Sequence, residues 1–138
     1  MNRAIRNMAI LAVGSFVLGL PGLAYAADAN PPERMTYQGY LVDADGDPLG
    51  TVADPSDQTE RVSAPANYDV VFRIYDVKQD GLAVWGEQQT ITVDNGYFSV
   101  LLGEGVLVEA AEGIETLSDV FKGDDISDRF IGITVSGL

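Results

Sequence analysis

Between residues 68 and 102 apolar side chains fall on one parity in three successive runs, and this constrains the fold more than any other feature. Tyr68, Val70, Phe72 and Ile74 share one parity, opposite Asp69, Val71, Arg73 and Tyr75. In residues 82–93, Ala83, Trp85, Ile91 and Val93 share one parity, with Gly86, Gln88, Thr90 and Thr92 on the other. Residues 97–102 form the third run. Successive side chains of a strand point to opposite faces, so a period of two marks half-buried β-strands. Lys78-Gln79-Asp80-Gly81 reads as the first turn, Asp94-Asn95-Gly96 as a tight hairpin turn, since Asn-Gly accepts the positive φ angles such turns need. Gly86 reads as a bulge or bend.

The flanks follow the same logic. Met35, Tyr37, Gly39 and Leu41 alternate with Thr36, Gln38, Tyr40 and Val42, ahead of a turn at Asp43-Ala44-Asp45-Gly46-Asp47-Pro48. Ile131, Ile133 and Val135 alternate with Phe130, Gly132 and Thr134. Residues 103–127 are acidic and glycine-bearing, and Ile114, Leu117, Val120 and Phe121 stand at helical spacing, which predicts one short helix around 117–121. Residues 49–66 lack either period and carry Pro55 and Pro65, so they read as a long loop. The preferred reading is a mobile insertion, with a binding loop or a short strand around 60–63 as the alternatives. The expectation is an all-β, antiparallel β-sandwich, immunoglobulin-like or related, with one short helix and at least one open sheet edge.

The N-terminus carries a different signal. Arg3 and Arg6 precede the apolar run 8–20, then Pro21-Gly22 and Ala24-Tyr25-Ala26, the pattern of a secretory signal peptide. The run is shorter than the roughly 18–20 residues that a spanning helix needs. Cleavage after Ala26 is expected, leaving residues 27–33 as a leader loop and 34–138 as the β domain; an uncleaved membrane anchor is the competing reading. Removing 26 of the 138 residues leaves 112, enough for one modest core. Cysteine and histidine are both missing, so the domain holds no disulfide, no Cys- or His-based metal site and no Ser-His or Cys-His nucleophile system. The net charge of −13 becomes −15 when Arg3 and Arg6 leave with the signal peptide. Such a surface repels phosphate backbones and anionic membranes, which disfavours nucleic acid and lipid as partners.

The motifs Met35-Thr36-Tyr37-Gln38-Gly39, Asp45-Gly46-Asp47-Pro48-Leu49, Val71-Phe72-Arg73-Ile74-Tyr75-Asp76, Ala83-Val84-Trp85, Asn95-Gly96-Tyr97-Phe98-Ser99-Val100, Leu102-Gly103 and Phe130-Ile131-Gly132-Ile133 occur in that order. Together they resemble the N-terminal β-sandwich module of large bacterial secreted or cell-surface proteins. Some of these end in a tail-fibre-type domain that cleaves itself or chaperones trimer assembly. The resemblance implies location and architecture, and it supplies no catalytic residue. Tyr40 stands where those modules usually have a basic residue, and they usually continue beyond the position of Leu138.

Asp43, Asp45 and Asp47 offer alternating carboxylates, the ligand type that Ca²⁺ prefers, with Asp54 at the twelfth place of an EF-hand count. Pro48 occupies the place where that loop needs glycine, and a plain turn accounts for the same residues. Asp124, Asp125 and Asp128 form a second acidic group. Trp85 and the tyrosines offer stacking surfaces for sugar rings; core parity favours burial of Trp85, leaving Tyr40 and Tyr75 as candidate ligand contacts. Glu87, Glu104, Glu109, Glu112 and Glu115 are the carboxylates left for acid–base chemistry, with no pair set at a defined separation. The chain therefore reads as a non-catalytic extracellular module, secreted, on the cell surface or periplasmic, without an obligate cofactor. Assembly with itself or a protein partner through open sheet edges is the leading function, with glycan binding and calcium-dependent adhesion as alternatives.

Overall fold

The computed structural model describes residues 8–12, 31–123 and 128–138. The expected cleavage site after Ala26, most of the expected leader, and Asp124 and Asp125 lie outside the described residues. In chain order the elements are β1 (Met8–Ala12), β2 (Met35–Tyr40), β3 (Thr51–Ala53), β4 (Arg61–Ser63), β5 (Ala66–Tyr75), β6 (Ala83–Val93), β7 (Tyr97–Leu102), β8 (Val106–Ala110), α1 (Leu117–Val120) and β9 (Phe130–Val135). The fold is all-β with antiparallel sheets and one short helix, as the alternation predicts. A five-stranded sheet runs β1-β9-β5-β6-β8, and β2-β7 and β3-β4 form two-stranded sheets.

The five-stranded sheet and the small β2–β7 sheet meet through their apolar faces. Val70, Phe72 and Ile74 on β5, Trp85, Ile91 and Val93 on β6, and Ile131 and Ile133 on β9 are buried, on the parities expected. From the small sheet Tyr37, Phe98, Val100 and Leu102 complete the same core. The Phe72 ring lies edge-on to Tyr37 at 6.2 Å between centroids and 6.2 Å from Phe98, so three aromatics join the layers. This face-to-face contact supports the sandwich reading.

The hairpin turn has the backbone expected. Asn95 and Gly96 both hold positive φ, 50° and 82°, and Asp94 and Tyr97 exchange two backbone hydrogen bonds at 3.0 and 2.9 Å. Residues 49 and 63 are both tied to that turn: the Gly96 N–H donates to the Leu49 carbonyl at 2.7 Å, and Ser63 Oγ donates to the Asp94 carboxylate at 2.6 Å.

The structure corrects the reading of residues 49–66 as one long loop. They hold β3 and β4, paired Thr51↔Ser63, Val52↔Val62 and Ala53↔Arg61, and the alternative of a short strand near 60–63 is the one realised. Two side chains build the connection. Asp54 Oδ1 accepts from the Ser56 N–H (2.6 Å) and hydroxyl (2.5 Å), and Asp57 Oδ1 accepts from the Thr59 N–H (3.0 Å) and hydroxyl (2.6 Å). Such local turns organise a chain that has no hydrophobic period. The same donors, hydroxyl first and then amide, hold both carboxyls below their ordinary range.

α1 buries Leu117, Ser118 and Val120, one residue short of the expected 117–121. Its start is held by Asp119 Oδ2, which accepts from the N–H groups of Thr116 (2.8 Å) and Glu115 (3.1 Å) and from the Thr116 hydroxyl (2.9 Å). The Lys122 ammonium, 2.8 Å from Asp119 Oδ1, and then these donors hold the Asp119 carboxyl well below its usual 3.8. A folded-state value below the unfolded one contributes stability above the unfolded value and loses it as the pH falls. Thermal melts between about pH 4 and pH 2 are expected to show a shallower decline for Asp119→Asn than for the parent chain. Parallel declines would show that this carboxylate does not set the acid sensitivity.

Candidate functional site

The five-stranded sheet ends at β8, all five residues of which are exposed. Val106 is 73 % exposed, Leu107 48 % and Val108 45 %. Edge strands ordinarily carry lysine, proline or an inward charge that discourages another strand from pairing; β8 reads Val-Leu-Val-Glu-Ala and has none of the three unpartnered. Its single charge, Glu109, forms an ion pair with Arg73 of β5. The register explains how that pair reaches over a whole strand: Arg73 lies opposite Gly86, and Gly86 lies opposite Glu109. A Cβ on Gly86 would stand 3.1 Å from Glu109 Cγ and 3.3 Å from Arg73 Cγ, so the glycine leaves room for the two side chains to meet. The pairing shifts between Gly86 and Glu87, where Val108 is the extra residue of β8, and this bears out a bulge near Gly86.

A buried carboxylate fixes the approach to this edge. Glu87 is 1 % exposed and accepts from the N–H of Gly103 at 3.1 and 3.0 Å, from the N–H of Gly105 at 2.9 Å and from the Gln89 amide at 2.6 Å. The turn from β7 into β8 is thus closed around one side chain of β6. Gly105 is required for that approach, because a Cβ there would stand 2.7 Å from the Gln88 carbonyl oxygen. Beside Glu87 lies a cleft of about 210 Å³ lined in part by Arg34, Trp85, Leu107 and Thr116. It is smaller than the roughly 300 Å³ at which small-molecule pockets begin.

The carboxylates considered for acid–base chemistry are largely committed to structure. Glu87 ties the turn, Glu104 pairs with Arg34 at 3.3 Å, and Glu109 pairs with Arg73. Sequence reasoning left Glu87 among interchangeable acids. The missed signal is parity: Glu87 and Gln89 fall on the same face of β6 as Trp85, Ile91 and Val93, so two polar groups point inward and need donors.

The other expected site residues separate. Asp43 Oδ1 accepts from the N–H of Asp45 at 2.9 Å and of Asp47 at 3.0 Å, and Asp47 pairs with Arg61 at 3.2 Å. Asp43 and Asp47 thus serve the turn and the β3–β4 hairpin, and no group of three metal-ligating side chains occurs among the described residues. Trp85 is buried, as its parity predicts. Tyr40 and Tyr75 are on different sheets. Tyr75 is half-buried, its ring 2.9 Å from where a Cβ on Gly132 would stand. Tyr40, 47 % exposed, meets Tyr97, 68 % exposed, edge-on at 4.9 Å between centroids. Tyr97 is the partner that the sequence reading did not single out, because register alone places it opposite Tyr40. No helix among the described residues is long and apolar enough to cross a membrane. A family model described as a domain of unknown function, DUF8740, matches residues 36–138. No curated protein and no solved structure matches the chain.

Proposed function

This chain belongs to the DUF8740 family, and on the geometry of its β8 edge we propose that it is a non-catalytic interaction module that assembles outside the cytoplasm. The single observation that carries the reading is an exposed apolar edge strand without the usual protection. An added strand from another molecule satisfies the free backbone groups of such an edge, and the apolar side chains leave water as it binds. Export rests on the N-terminal pattern of Arg3, Arg6 and the apolar run 8–20. The resemblance to modules of bacterial secreted and surface proteins supports the same setting.

Light scattering after size-exclusion chromatography tests the reading on the exported, processed protein. The parent chain is expected to show mass that rises with concentration, and Leu107→Lys is expected to shift it toward monomer, since a lysine on the edge opposes strand addition. A parent that stays monomeric at every concentration sinks the proposal. The exposed Tyr40–Tyr97 pair favours a second reading, glycan binding, because sugar rings stack on such aromatic faces; a glycan array without hits removes it. Calcium-dependent adhesion ranks third, since Asp43 and Asp47 already have partners; association that needs added Ca²⁺ would raise it.

A further inference from the structure

The opposite edge of the same sheet is closed by the N-terminal segment. β1, residues Met8–Ala12, pairs antiparallel with β9 through Met8↔Ile133, Leu11↔Ile131 and Ala12↔Phe130. Those five residues fall inside the signal peptide expected to be removed after Ala26, and their removal bares the outer side of β9. We infer that β8 of a second copy takes the place of β1 on β9, so that processed chains add edge to edge. The inference rests on the assembly proposed above and on leader cleavage.

Strand direction permits this exchange. In the order β9-β5-β6-β8 each neighbour is antiparallel, so β8 and β9 run in opposite senses, and β8 runs in the same sense as β1. A second copy shifted along the sheet, with only the rotation that sheet twist imposes, therefore presents β8 antiparallel to β9. Length matches as well, because β1 and β8 each have five residues. Charge is the stronger argument. On a full chain of net charge −13, which becomes −15 after processing, β9 reads Phe-Ile-Gly-Ile-Thr-Val with no charge, and the one charge of β8 is already paired with Arg73. Joining the two edges sets no like charges directly opposite one another. Since donor and acceptor edges differ, the contact is heterologous, and repeating it gives an open series of copies instead of a closed pair.

The full chain, made in a cell-free system without signal peptidase, is compared by sedimentation velocity with the same chain after peptidase treatment, the N-terminus being read by mass spectrometry. The processed chain is expected to populate species beyond the dimer, and retention of the leader to raise the concentration for half-assembly at least about tenfold. A synthetic peptide of residues 8–12 is expected to disperse the processed assemblies where a scrambled peptide does not. Processed chains that stop at dimers, or that ignore the peptide, overturn the exchange while leaving assembly through β8 intact. Equal assembly with the leader retained also overturns it, and processed chains that never associate overturn assembly itself.

Discussion

Glu87→Ala is expected to lower the thermal midpoint by roughly 10–20 °C, from a loss of about 3 kcal/mol. The carboxylate is nearly inaccessible to water and accepts from two backbone N–H groups and one amide. Alanine removes the acceptor and keeps the donors, so the N–H groups of Gly103 and Gly105 lose the partner that closes the turn. Hydrogen bonds to a charged group are worth about 1.5–3 kcal/mol each, and leaving their partners unpaired adds to the loss. Glu87→Gln keeps one acceptor oxygen and is expected to fall between the parent and Glu87→Ala. Differential scanning calorimetry on the three proteins checks the order; a Glu87→Ala midpoint equal to the parent's would show that the carboxylate does not close the β7–β8 turn. The loss should also loosen the β8 edge, so amide exchange of residues 106–110 is expected to speed up first.

Phe72→Ala is the second large effect, expected at about 3–5 kcal/mol. Phe72 is fully buried on β5, the strand paired on both sides by β6 and β9, and its ring touches the aromatic pair from the small sheet. Truncation therefore opens a cavity where the two layers meet, and neither Tyr37 nor Phe98 can fill it without leaving the other. Phe72→Leu fills more of the space and is expected to cost less than half as much. A urea titration that places Phe72→Ala within 1 kcal/mol of the parent would mean that the layers are not held together through this ring.

Strands with one wet and one buried face were legible, because burial prints alternation on the sequence. Val70, Phe72 and Ile74, Tyr37 and Leu41, and Ile131 and Ile133 all fall where parity put them. β8 left no such print: with all its residues exposed it has no alternation, and glycines on both sides hide it in an acidic stretch. β3 and β4, three residues each, are too short for a period, and the hydrogen bonds of Asp54 and Asp57 that organise their connection are local chemistry invisible to hydropathy. Tyr40 was legible as a surface aromatic by its parity. Its meeting with Tyr97 depends on the β2–β7 register, and the inward role of Glu87 on the path of a turn sixteen residues away, at Gly103.

The place of β9 in the sheet also sets the order in which the molecule can be completed. It is the last of the described strands, yet it lies directly beside β5. Synthesis delivers the N-terminal parts first, so β5 waits with one side unpaired until residues 130–135 are made. The pairing of Val70 with Val135 joins positions far apart in sequence, a closure that is slow because the intervening chain must first be ordered. The five-stranded sheet is therefore completed only when residues 130–135 have been made, which leaves an apolar strand in need of protection during that interval.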